Sequence, residues 1–287
     1  MNIGISTVLY TPFIHRHINP DLFHALEKIA GYGYTHIEYN DQSVPHPFSL
    51  DNGEAVRILK VIKELNLHIH SIHVPCTQLP DADIGSINSG KRRSALEVVR
   101  RTLDVCSALD CPNAILHPGG ALEKLIEQET LYRVKDAYLS SLQELCEYVK
   151  NRKTKIILEN GGNPLNSIAA LIETISCVNS DSLGICIDTG HAYGTGNDPA
   201  LLIEQAGKLL EHLHIHDNNG TNDDHLVPGD GTINWPVVMR SLAKISYQGI
   251  FMLECAAARS TIEPDKIAKD AINVSKKLIL DYYWGKK

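Results

Sequence analysis

The sequence predicts an α/β protein built as a single (β/α)8 TIM barrel across residues 1–287, and three observations predict it. Short runs rich in Ile, Val and Leu alternate with longer amphipathic stretches, the pattern of parallel strands joined by helical crossovers. That alternation repeats eight times along the chain. The length of 287 residues suits one barrel of about 250 residues with loops to spare.

The strands are expected at Asn2–Val8, His36–Tyr39, His68–His73, Ala114–His117, Lys155–Glu159, Leu183–Asp188, His212–His216 and Ile250–Glu254. The helices between them are expected at Asp21–Gly31, Asn52–Leu65, Gly90–Leu109, Glu129–Asn151, Ser167–Val178, Pro199–Leu210, Pro236–Ile245 and Pro264–Tyr283. Asp198-Pro199 and Trp235-Pro236 put proline where a first helical turn tolerates its missing N–H, and Gly31 and Asn66 sit where helices can stop. No linker-like run divides the chain. An open doubly wound sheet is the competing architecture, but no G-x-G-x-x-G fingerprint follows the first strand.

Composition narrows the function classes. With 43% hydrophobic, 21% charged and 6% aromatic residues, the chain reads as a soluble domain with a large aliphatic core. The opening MNIGISTVLYTPFIHR lacks a basic start followed by a sustained apolar run, and no segment reaches the roughly 18 apolar residues of a membrane span, so a cytoplasmic location is expected. Seven cysteines, without a C-x-x-C pair, are expected to be reduced. A formal charge of −7 offers no global attraction to nucleic acid or anionic membrane and leans towards a small-molecule substrate.

The chemistry is written at the strand ends. Six consecutive strands finish on a metal-capable side chain: His73, His117, Glu159, Asp188, His214 and Glu254. In a parallel barrel the carboxyl ends of all strands share one rim, so these residues converge on one open site. The core set is Glu159, Asp188, His214 and Glu254. A glutamate ending the apolar run KIILE, and another ending IFMLE, would be costly there unless paired with cations or metal. Asp188 could instead cap the following helix, and His73 and His117 could be hydrogen-bonded strand-end histidines.

Beyond the strands, His191 follows in DTGH, and Asp223 and His225 lie in NNGTNDDHLVPGDG, a loop whose composition alone predicts a solvated turn. In HLHIH, His214 lies at ligand depth, His216 is expected to line the substrate pocket, and His212 is expected to be structural. Mixed imidazole and carboxylate donors suit zinc, manganese, cobalt or iron, and these candidates suffice for one to three ions. Gly119-Gly120 and Gly161-Gly162 could admit a phosphate or could simply shape loops. No nucleophile elbow, Walker A loop or zinc-finger spacing appears.

The stretches LENGG, IDTGHA, HIHDN, DDHLVPGDG and MLE resemble the superfamily that joins xylose-isomerase-like sugar isomerases and epimerases with endonuclease IV. For the epimerases, the resemblance implies Glu159, Asp188, His214 and Glu254 on one zinc or manganese ion. Glu159 and Glu254 would also exchange a substrate proton on opposite faces, with His191 on substrate hydroxyls. For endonuclease IV, it implies three zinc ions: His73, His117 and Glu159 on one; Glu159, Asp188, His214 and Glu254 on the second; His191, Asp223 and His225 on the third. The loop sequences NDQSVPHPFSLDNGE, with no Lys or Arg, and VPCTQLPDADIG, with neither a base nor an aromatic wedge, depart from a DNA-handling enzyme. The expected activity is therefore a divalent-metal-dependent isomerase or epimerase of a sugar or sugar phosphate. The alternative is a multi-zinc phosphodiesterase acting on abasic DNA or a small phosphoester. A non-catalytic sugar-binding barrel is disfavoured because both glutamates are intact.

Overall fold

The computed structural model describes residues 1–10, 21–40, 50–75, 83–117, 128–256 and 262–283. Eight parallel strands, β1 (Ile3–Ser6), β2 (His36–Tyr39), β3 (His68–His73), β4 (Asn113–Leu116), β5 (Lys155–Glu159), β6 (Leu183–Asp188), β7 (Leu210–His214) and β8 (Phe251–Leu253), follow one another around a barrel. β1 pairs with β8. The ring is completed between β7 and β8 by the parallel bridge Ile215↔Leu253, in which Ile215 N donates to Met252 O at 2.8 Å and Glu254 N donates to Ile215 O at 3.0 Å.

Period-2 alternation sorts the strand side chains into two environments. Ile156 and Leu158 of β5 join the main core between sheet and helices, whereas Ile157 forms a small separate cluster with Ile115 and Cys186 inside the barrel. The same parity carries Glu159 and Asp188 to the interior at the carboxyl-end rim. Much of that interior is polar: Ser6, Glu38, Ser71, His212 and His214 are all fully buried.

The outer helices are α1 (Leu22–Gly31), α2 (Asn52–Glu64), α3 (Ser89–Ala108), α4 (Gln128–Val149), α5 (Ile168–Val178), α6 (Thr189–Gly194), α7 (Pro199–Ala206), α8 (Trp235–Lys244) and α9 (Pro264–Leu278). Their starts follow from side-chain capping of free N–H groups. Asp21 caps α1, Asp51 and Glu54 form a reciprocal capping box on α2, and Asp198 with Pro199 opens α7.

Several elements differ from the sequence expectation, among them the last helix, whose α-helical part ends at Leu278 before a π-helical turn over Ile279–Tyr283. The first strand is shorter, because residues Thr7–Tyr10 turn into a 3-10 helix. The expected helix from Pro199 ends at Ala206, where Gly207 takes φ +51°, so that β7 begins already at Leu210. His216 consequently lies beyond the strand. The short helix α6 was not anticipated, since six residues carry too little periodicity to register. Asn66 takes φ +53° just beyond α2 as expected, but behind α1 the left-handed position is Gly33 (φ +87°), two residues past Gly31.

No helix among the described residues is long and apolar enough to cross a membrane. Cys106, Cys111, Cys146, Cys177, Cys186 and Cys255 are free thiols, while Cys76 lies outside the described residues.

Candidate metal centre at the barrel rim

All nine sequence-predicted ligand candidates come together at one end of the barrel. Together with His216, His212 and Cys186 they form overlapping groups: His73, His117 and Glu159; Glu159, Asp188, His214 and Glu254; Asp188, His191 and His216; His216, Asp223 and His225; and Cys186, His212 and His214, with donor atoms within 4.8 Å inside each group. Glu159 joins the first two groups and Asp188 links the second to the third.

The central relationship is the orientation of His214. Its Nε2 donates to Glu38 Oε2 at 2.9 Å, and because a carboxylate only accepts, that nitrogen carries the proton. Nδ1 then faces Glu159 Oε1 at 3.0 Å, Glu254 Oε2 at 3.4 Å and Asp188 Oδ2 at 3.9 Å. A bare lone pair opposed to three carboxylates is repulsive, so the position calls for a proton or a metal cation. Burial pushes the His214 imidazole down, yet Cys186 and the carboxylates Glu38, Glu254 and Glu159 outweigh it and hold its pKa well above the ordinary range. For Glu254, burial wins over His214 and His225 and raises the carboxyl, whereas for Glu159 the facing His117 and His214 overcome burial and hold it well below the usual carboxylate range.

In the first group, His73 Nε2 and His117 Nε2 approach to 3.2 Å, and His117 Nε2 lies 3.2 Å from Glu159 Oε2. Glu159 Oε2 is fully enclosed yet has no aligned hydrogen-bond donor among the described residues. Burial lowers His117 to about 4, which leaves its ring neutral and able to donate a lone pair. His73 Nδ1 donates to Val74 O at 3.2 Å, directing Nε2 to the cluster.

The outer group hangs on the loop after β7. His225 Nδ1 donates to Glu254 O at 2.8 Å, leaving Nε2 to face Asp223 Oδ2 at 3.1 Å. Facing Asp223 raises His225 to about 9 against the opposing effect of burial. His191 bridges inward, with Nδ1 3.2 Å from Glu159 Oε1 and Nε2 3.5 Å from Asp223 Oδ2.

Asp188 occupies both positions that the sequence left open. Its Oδ1 accepts from His191 N at 2.6 Å and so caps α6, while its carboxylate also lies in the central group. Asn160 holds it in place, donating from Nδ2 to Asp188 O at 3.1 Å and accepting from Asp188 N at 2.7 Å.

His216, expected at the pocket surface, is fully buried behind Asp188, with Nε2 3.0 Å from that carboxylate and its ring stacked on His225 at 4.0 Å between centroids. It fits there only because residue 190 is glycine: a Cβ at Gly190 would stand 1.8 Å from the His216 ring. Gly161 shapes its loop, since a Cβ there would meet the Asn166 amide at 2.5 Å. Gly119-Gly120 and the loop stretches 41–49 and 76–82 lie outside the described residues.

Sequence reasoning passed over two residues. Glu38 is fully buried one residue before the end of β2. A signal for it existed, because a glutamate inside the strand HIEY has no reason to be buried without partners. Asp217 is also fully buried, and both its oxygens are saturated: Oδ1 accepts from Asn218 N and Ile233 N at 2.9 and 3.1 Å, and Oδ2 from Gly229 N and Trp235 Nε1 at 2.8 and 2.7 Å. It is the anchor of the loop that carries Asp223 and His225. No local pattern separates it from the other acidic residues of a polar loop.

A family model described as xylose isomerase-like TIM barrel matches residues 26–278. The chain belongs to that family. This xylose isomerase-like barrel is 27% identical over 281 residues to an uncharacterised protein of Methanocaldococcus jannaschii, covering 96% of this chain and 90% of the relative. It is 25% identical over 189 residues to inosose isomerase of Bacillus subtilis, covering 62% of this chain and 65% of that protein. A match to probable endonuclease 4 of Mycoplasma pneumoniae has 22% identity over 217 residues, with coverage of 70% and 71%. Among solved structures, a D-tagatose 3-epimerase-like protein aligns with a TM-score of 0.77 and 25% identity over 97% of this chain and 100% of that one. The relatives thus include proteins named as isomerases and epimerases, together with one named as an endonuclease.

Proposed function

We propose that residues 1–287 form one domain that acts as a divalent-metal-dependent isomerase or epimerase of a sugar or sugar phosphate in the cytoplasm. The observation that carries the reading is the convergence of Glu159, Asp188 and Glu254 on Nδ1 of His214. Three carboxylates and one imidazole, with the imidazole's other nitrogen already committed, are a donor set suited to zinc or manganese. Such an ion, when bound, would polarise a substrate carbonyl and make the neighbouring C–H acidic.

The chain's own groups then divide the work. One of Glu159 and Glu254 takes the proton from the carbon beside the carbonyl while the electron pair moves towards the carbonyl oxygen, and the other returns a proton from the opposite face. Asp188 and His214 hold the central geometry. His191, partly exposed between Glu159 and Asp223, is placed to hold a substrate hydroxyl.

Incubation with ketose and ketose-phosphate panels in deuterated water tests this. Deuterium is expected at the substrate carbon next to the carbonyl, and Glu159→Gln should abolish the exchange. Efficient cleavage of abasic-site DNA, with neither exchange nor conversion across the panel, would overturn the reading.

A specific observation favours a second reading. An isomerase needs only the central group, yet His73 with His117 on one side, and His216 with Asp223 and His225 on the other, extend it. That extension matches a phosphodiesterase holding two or three ions, with Glu159 shared between neighbouring sites. In this reading His216 belongs to the outer ligand group and not to the substrate pocket.

A further inference from the structure

The Glu38 carboxylate is the polar hub of the barrel interior. A single oxygen, Oε2, accepts from Ser71 Oγ at 2.9 Å and from His214 Nε2 at 2.9 Å, and it lies 3.4 Å from His212 Nε2. Those contacts join β2 to β3 and β7, across the barrel. Glu38 and both histidines are fully buried, so these bonds are shielded from bulk solvent. The register is specific, because the β2–β3 ladder shifts between Ile37 and Glu38 and so sets Glu38 opposite Ser71.

Burying a carboxylate this deeply is expensive unless it is paired and hydrogen-bonded. An apolar residue at position 38 would fill the barrel without that expense. What only a carboxylate or a similar acceptor can do is hold the proton of His214 on Nε2. With that proton fixed on Nε2, Nδ1 is the nitrogen turned towards Glu159, Asp188 and Glu254 and left to meet a cation there.

We infer that Glu38 is a positioning residue for the metal centre, selecting the Nε2–H tautomer of His214 and increasing the electron-donating power of Nδ1. The inference rests on the metal-dependent reading above. Ser71 supports it by orienting the carboxylate. His212 flanks the same oxygen, with its Nε2 3.4 Å from Glu38 Oε2.

The test compares zinc affinity, measured by competition with a chromophoric chelator, with thermal melting of the metal-free proteins. Wild type, Glu38→Gln, Glu38→Ala and Ser71→Ala are compared. Glu38→Ala is expected to weaken zinc binding by roughly 10–100-fold, the usual consequence of removing a carboxylate behind a ligating histidine. Glu38→Gln keeps the volume and one acceptor but loses the charge, and is expected to weaken binding by about tenfold while the metal-free melting temperature moves little. Should Glu38→Ala fail to fold, Glu38→Gln decides. Affinity within about twofold of wild type in Glu38→Gln overturns the inference, as does a set of variants whose melting temperatures fall while zinc affinity stays constant. Failure of the wild type itself to bind zinc, manganese, cobalt or iron is a separate result, and it strikes the metal-dependent reading on which this inference stands.

Discussion

Glu159 turns one carboxylate oxygen to His214, placing Oε1 3.0 Å from Nδ1, and leaves the other enclosed without an aligned donor among the described residues. A residue so placed can bridge two neighbouring cations.

The first expectation concerns metal content. Purified protein should carry at least one equivalent of zinc, manganese or a related transition metal by elemental analysis, and zinc-replete crystals should show two or three ions. Glu254→Gln removes a ligand charge at nearly constant volume and should weaken binding by more than about 100-fold, exceeding the loss typical of an outer partner. Metal at 100 times its dissociation constant should stabilise the fold by about 2.7 kcal/mol, visible as a rise in melting temperature over chelated protein. Protein that takes up no such ion at neutral pH would refute the central claim.

A second expectation follows from the saturation of Asp217. An asparagine there sets an NH2 group against two of its four N–H donors, and Asp217→Asn should cost about 3 kcal/mol in denaturant unfolding. The loop cannot readily repack around the change, because a Cβ at Gly231 would already stand 2.4 Å from Asp217 Oδ1. The loss should fall on the Asp223 and His225 side first: in Asp217→Asn the outermost ion should be released while the central one is retained, a difference that metal titration reads directly. Equal stability and stoichiometry in the variant would contradict the anchoring role.

A third expectation lies away from the rim, where α9 is tied back to the start of the chain. Asp265 accepts from Lys28 Nζ at 2.6 Å and from Tyr10 Oη at 3.1 Å. Burial acts to raise the carboxyl, but the bonds from Lys28 and Tyr10 win and lower it below its ordinary 3.8. A depressed carboxyl contributes stability above its unfolded pKa and loses it as pH falls through the folded value. Asp265→Asn should therefore melt on the order of 1–2 °C below wild type at neutral pH, with the gap closing as pH falls below the ordinary carboxyl value of 3.8 and shrinking in salt because the pair is partly exposed. A gap that stays constant from neutral to strongly acidic pH would show that the ionised clasp is not its source.

The eight-fold alternation and the acidic strand ends were readable from the residues alone, because strand parity and parallel closure are local rules. Once KIILE and LGICID are strands of one barrel, Glu159 and Asp188 must meet at its rim. The recurrence of His214, Glu254, His73 and His117 at equivalent depths followed from the same rule. What required the folded chain was everything set by register between distant segments. Glu38 meets His214 across 176 residues of sequence, after a register shift that no local pattern encodes. Asp188 caps a helix through Oδ1 and also lies in the central cluster, with Oδ2 3.9 Å from His214 Nδ1. His216 sits behind Asp188 because Gly190 opens a space there for its ring. Local sequence decides which side of a strand a residue occupies, whereas the partner it finds there depends on how far neighbouring strands slide, and only packing of the whole barrel sets that distance.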